Sequence, residues 1–203
     1  MSLQAPAGDA TRFAPTPDVA TPATAHAPAE TGTSWLNLPR EFAASLLAIT
    51  TVPMGLPPTH LPPWAVFISW AGTFAAGGPK AEVLRKLAPT QPIGSLVAMV
   101  IVLCFGAAAD ALPAGAPTVF AEMGILFVLN SAMIFLARIV PALSFVPGMF
   151  FGFASYFATY FGGFGLEAGN ELHALWAAMS MNAVGLIYAW LNVKLMRPAD
   201  QQH

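Results

Sequence analysis

Few residues in this 203-residue chain have the type and spacing to do chemistry. Its four histidines, His26, His60, His173 and His203, stand far apart, and none has a second ligand at metal-binding spacing. The single cysteine, Cys104, lies in an apolar run and has no partner for an intrachain disulfide. There is no GxSxG elbow, no HExxH pair and no phosphate-cradling loop. An enzyme, a metal and a cofactor are therefore not expected, and no two histidines take facing positions that would hold a haem. What remains are hydroxyls and amides inside apolar stretches. Ser69 and Thr73 are four apart, as are Ser155 and Thr159, so each pair shares one face of a helix. Asn130 and Asn182 fall near the middle of two further apolar runs, where an amide must find a partner or face a path. Such groups bond across helices, or they bind a small, weakly charged polar solute.

The elements that position them are set by composition. Hydrophobic residues make up 56% and charged residues 9%, with a mean hydropathy of +0.63. A soluble domain carries about 25% charged residues, so the solvent for most of this surface is expected to be lipid. The net charge of -2 shows no basic stripe for nucleic acid. Residues 1–40 are rich in Ala, Pro and Thr, and read as a disordered tail without the basic start and apolar core of a signal peptide. Residues 41–197 form the membrane domain and 198–203 a short end. Six apolar segments follow one another, at about 42–56, 61–78, 93–112, 118–137, 139–164 and 172–195. The first two are short for a straight span of about 20 residues, and Pro53 interrupts the first. The expected fold is thus an all-α integral membrane protein with six transmembrane helices.

Charge orients this bundle. Arg12, Arg40, Lys80, Arg85, Lys86, Arg138, Lys194 and Arg197 all fall on one side of a six-span arrangement. Basic residues are retained on the cytoplasmic side during insertion, which predicts that both termini are cytoplasmic. The opposite side holds Asp110, Glu167, Glu171, His60 and His173, and Glu122 lies about one turn into the fourth segment.

Two features point to a pathway. Pro147 and Gly148 in the fifth segment permit a kinked or broken helix; a break inside a bilayer is tolerated where it is buried or faces water. Gly148 and Gly152 also make a small-residue face that packs within the chain or between chains of a homo-oligomer. Second, Ser69-Trp70-Ala71-Gly72-Thr73-Phe74 resembles Ser155-Tyr156-Phe157-Ala158-Thr159-Tyr160, each followed by Gly-Gly with a one-residue slip. Each copy is the middle helix of a three-helix half, and three is odd, so the halves would insert oppositely as a 3+3 inverted repeat.

Leu143-Ser144-Phe145-Val146-Pro147-Gly148, with Phe151-Gly152, resembles the small bacterial inner-membrane proteins grouped as domain of unknown function 1097 (DUF1097). Ser69-Trp70-Ala71-Gly72 is similar to that family's second helix and Ala48-Ile49-Thr50-Thr51 to its first. The resemblance implies six helices in a bacterial inner membrane and no assigned substrate. Where the family has a Cys-Pro, this chain has Gly77-Gly78-Pro79, so no thiol role is implied here. The reading is a channel or facilitator for a small polar solute, with Ser69, Thr73, Asn130, Pro147, Gly148, Ser155, Thr159 and Asn182 along the path. The alternative is a non-transporting scaffold, accessory or regulatory subunit.

Overall fold

A computed structural model describes residues 34–198. The expected tail up to residue 33, with Arg12, and the end beyond residue 198 lie outside the described residues. Six α-helices follow in order: α1 (Arg40–Ile49), α2 (Pro63–Ala75), α3 (Ala81–Ala111), α4 (Ala116–Ile139), α5 (Val146–Phe161) and α6 (Glu171–Leu195). Short 3-10 turns occupy Pro53–Gly55 and Pro141–Leu143. Among the described residues there is no strand beyond a single bridge between Leu38 and Met196.

Three helices, α3, α4 and α6, are long and apolar enough to cross a membrane. Helix α4 turns its apolar surface outward, as a membrane helix does: only 6% of its most apolar window is buried within the chain. It exposes Phe120, Met123, Phe127 and Phe135, a contiguous apolar face that water would not tolerate at this size. Helices α1, α2 and α5 have 10, 13 and 16 residues, shorter than a straight span.

Helix α1 does not end abruptly. The N–H groups of Thr50, Thr51, Val52, Met54, Gly55 and Leu56 each donate to the carbonyl three residues back. The α-helix thus loosens into 3-10 geometry, which rises faster per residue, so residues 40–56 cover roughly 30 Å. Pro53 accounts for the change, because it lacks the N–H that an α-helix would use. The connection onward passes a cis peptide between Pro57 and Pro58.

Helix α3 corrects the expected start at Ile93. It begins at Ala81 and runs through Pro89 and Pro92. The two prolines are three apart, so both missing donors fall on one face and the remaining ladder holds the helix together. Thr90 Oγ1 donates back to the Lys86 carbonyl at 2.7 Å. The fifth apolar segment is broken rather than kinked: the chain leaves α4 at Ile139, makes a 3-10 turn, and starts α5 at Val146. Pro147 sits in the first turn of α5, where a missing N–H costs nothing.

The most extensive packing joins α3 to α5 and α2 to α6. Glycines set these crossings. A Cβ at Gly94 of α3 would overlap the Met149 carbonyl, and one at Gly152 of α5 would overlap the Gln91 carbonyl. On α6, Gly185 lies against Val66 and Ser69 of α2. Residues 34–38 strap the end of α6. Trp35 and Leu38 donate backbone N–H groups to the Lys194 and Leu195 carbonyls at 2.8 and 2.9 Å, and Arg197 N donates to Leu38 O at 3.0 Å. The start and end of the described chain are therefore on the same end of the bundle, and the last carbonyls of α6 are satisfied.

Candidate functional site

The candidate site is the polar centre where α2, α3, α5 and α6 cross. Ser69 and Ser155 are both 0% exposed, and Gln91 and Asn182 are 2% exposed. Ser69 Oγ lies 3.1 Å from Gln91 Oε1 and 3.0 Å from its Nε2. Ser155 Oγ donates to Asn182 Oδ1 at 2.8 Å. Each serine of a middle helix is thus bonded to an amide on the helix that follows it. Gly185, three residues beyond Asn182, touches Ser69, and Gly152, three residues before Ser155, touches Gln91. These close approaches bring the two serine–amide pairs into one interior. Asn182 Nδ2 is buried and has no hydrogen-bond partner among the described residues.

The threonines are spent locally. Thr73 Oγ1 donates to Ser69 O at 2.8 Å and Thr159 Oγ1 to Ser155 O at 2.6 Å. Both are 0% exposed, so neither faces an open cavity. The ends of α2 and α5 match as closely. Gly78 N donates to Thr73 O at 2.9 Å, and Phe164 N to Thr159 O at 3.0 Å. Gly77 (φ +112°) and Gly163 (φ +70°) occupy the same place in these turns, a backbone conformation that favours glycine. The alignment therefore runs without the one-residue slip expected from the Gly-Gly pairs.

The other predicted residues lie elsewhere. Asn130 is half-buried on α4, which packs on α3 and lies outside the four-helix crossing; its Oδ1 is buried without a hydrogen-bond partner among the described residues. Pro147 and Gly148 start α5 near the end of the bundle, and Gly148 lies against Thr90 of α3. The Gly148–Gly152 face thus packs within the chain. Gln91 was missed because the expected third helix began after it. Its signal was present: an amide one residue before Pro92, nine residues ahead of the apolar Val100-Ile101-Val102-Leu103 run.

The serine–amide spacing, the short α5 and its glycine contacts all fall within one matched stretch of sequence. A family model described as "Protein of unknown function (DUF1097)" matches residues 42–198. The chain belongs to the DUF1097 family. No curated protein and no solved structure matches it. As a DUF1097 member it is a helical, apolar, membrane-type protein of a family without assigned function.

Proposed function

We propose that this DUF1097 protein passes a small, uncharged polar solute through the crossing of α2, α3, α5 and α6. The observation that carries the reading is Asn182: its buried amide nitrogen has no acceptor among the described residues, beside Ser155 and next to the Ser69–Gln91 pair. An unpaired buried donor costs about 1–3 kcal/mol, and a solute bearing a carbonyl or hydroxyl oxygen would relieve it. Pro147 and Gly148 belong to the break that lets α5 enter this centre from one end, and Asn130 lies outside the path.

The same reading makes the chain two three-helix halves of opposite orientation. Its support is the correspondence of Ser69–Gln91 with Ser155–Asn182, of Thr73 with Thr159, and of the two turns ending at Gly78 and Phe164. The spacing from Gln91 to Gly94 also equals that from Asn182 to Gly185. Six crossings follow if residues 40–56, α2 and α5 span with the three long helices. The described Lys and Arg residues then face the cytoplasm, in a bacterial inner membrane. The tight packing leaves the centre closed, so passage requires the halves to move against each other, as in inverted-repeat transporters.

The second reading is a non-transporting scaffold or accessory subunit. It is favoured by Thr73 and Thr159, whose hydroxyls are used up within their own helices. Reconstituted full-length protein, tested in liposomes against neutral solutes such as urea, glycerol and small amides, decides between them. Flux above that of empty liposomes, lost in Asn182→Leu while the protein stays folded, supports passage. No flux for any solute, or flux unchanged by that substitution, sinks it.

A further inference from the structure

At the end of the bundle away from the cations, a cavity of about 300 Å³ opens beside α6. Leu61, Leu166, Trp176 and Ala177 give it apolar walls, and Thr59, His173 and Ser180 add polar points. His173, Trp176, Ala177 and Ser180 recur at helical spacing, so they form one face of α6. That face differs from the one that carries Asn182 and Gly185 into the core.

The opposite wall is held in place by two loops that clasp each other. Gly165 N donates to His60 O at 2.9 Å. The Phe164 ring stacks on His60 with centroids 5.0 Å apart and meets the edge of Trp64 at 4.2 Å. The site is therefore formed before any ligand arrives, which reduces the ordering cost of binding. A volume of this order suits part of an amphiphile rather than a whole lipid.

Charge selects the ligand. Glu167 follows the wall residue Leu166, and its Oε2 lies 3.5 Å from His173 Nδ1. Glu171 opens α6 on the same end. Every described Lys and Arg lies at the other end, on α1, before or within the first six residues of α3, at the end of α4, or at the end of α6. The rim thus offers carboxylates and an indole, Trp176, that is 67% exposed. An ammonium group satisfies both, through a charge-assisted hydrogen bond and a cation–π contact. A headgroup with net negative charge meets the Glu167 and Glu171 carboxylates there and no Lys or Arg among the described residues.

We propose that this cavity is a binding site for an aminophospholipid of the surrounding membrane, its primary ammonium at Glu167 and Trp176 and the first part of its chains against Leu61, Leu166 and Ala177. Trp176 is exposed near the start of α6, the part of a spanning helix where an interfacial indole would meet lipid headgroups. The phosphate stays in water, since no Lys or Arg lies on this rim among the described residues.

The test is native mass spectrometry of the full-length protein in detergent, titrated with dioleoyl phosphatidylethanolamine and dioleoyl phosphatidylglycerol. The tails are identical, so only the headgroup differs. We expect saturable binding of one phosphatidylethanolamine at least fivefold tighter than phosphatidylglycerol. Glu167→Gln should narrow that preference, and Trp176→Ala should lower phosphatidylethanolamine occupancy. Both side chains are largely exposed, so thermal unfolding should be unchanged in these variants. Ser180→Phe, also at an exposed position, should fill the cavity and displace the lipid without altering charge. Equal binding of the two lipids, or a preference untouched by all three substitutions, overturns the proposal. Displacement of the bound lipid by millimolar ethanolamine alone would overturn the lipid as ligand, because the chains would then contribute nothing.

Discussion

At the scale of single residues, glycine contacts decide more than the polar groups do. Gly94 and Gly152 place helix backbones against the carbonyls of Met149 and Gln91, where a methyl group has no room. Gly106 and Gly124 face open space within 4 Å. We expect Gly94→Ala and Gly152→Ala each to cost about 1–3 kcal/mol or more, the range for overpacking. Gly106→Ala and Gly124→Ala should be neutral or slightly stabilising. Unfolding titrations in mixed detergent would measure both sets, and equal losses in all four would refute the assignment of the crossings. The polar pairs should weigh less. Ser155→Ala removes one buried helix–helix hydrogen bond, and such bonds in membrane proteins average about 0.6 kcal/mol and reach about 1.7 kcal/mol. A double-mutant cycle of Ser155→Ala with Asn182→Ala should return a coupling in that range, and zero coupling would mean that the bond contributes nothing.

At the scale of elements, the short helices are held by side-chain and strap contacts that no span-length argument supplies. Thr50 Oγ1 donates to Leu47 O at 2.6 Å, which leaves the Tyr188 hydroxyl as donor to Thr50 at 2.7 Å. This bond ties the loosening end of α1 to α6. Tyr188→Phe should therefore cost about 1 kcal/mol and speed hydrogen exchange at Thr50 to Leu56, with little effect in α4. Uniform exchange rates in the variant and the parent would count against it. The strap at residues 34–38 predicts a second effect. Trp35 meets Trp190 edge-on with centroids 5.4 Å apart. Trp35→Ala should loosen this contact and raise exchange at Leu38 and Arg197, whose N–H groups bond across the strap.

At the scale of the whole molecule, the strap places residues 34–38 beside 194–197, so both ends of the described chain share one side of the bundle. In a Cys104→Ser background, a cysteine at Ser34 and one at Arg197 should react with an impermeant maleimide from the same side of sealed vesicles. A cysteine at Asp110, near the end of α3, should react from the other side. Labelling of Ser34→Cys and Arg197→Cys from opposite sides would exclude an even number of crossings between them.

The sequence by itself determined the solvent and the family. Nine per cent charge and apolar runs such as Val97–Phe105 leave lipid as the surrounding medium, and that follows from composition without any contact. The SFVPG run at residues 144–148 marked the DUF1097 likeness, and the match over residues 42–198 bears it out. Ser69, Ser155 and Asn182 were legible as buried polar groups, because a hydroxyl or amide inside an apolar run must find a partner. Only the tertiary structure decided which partner. Gln91 was hidden by two prolines that locally signal a boundary, yet packing against α5 keeps α3 helical through them. Thr73 and Thr159 shared a face with their serines as expected, but their hydroxyls turned back to their own helix carbonyls. Pro147 and Gly148 signalled a kink or a break, and the structure has the break, which falls before Pro147 since a first-turn proline fits a helix start. The outer cavity was equally invisible, because residues 59–61, 166 and 173–180 meet only when two distant loops clasp. Local pattern fixes what a side chain needs, and the long-range approach of helices fixes what it receives.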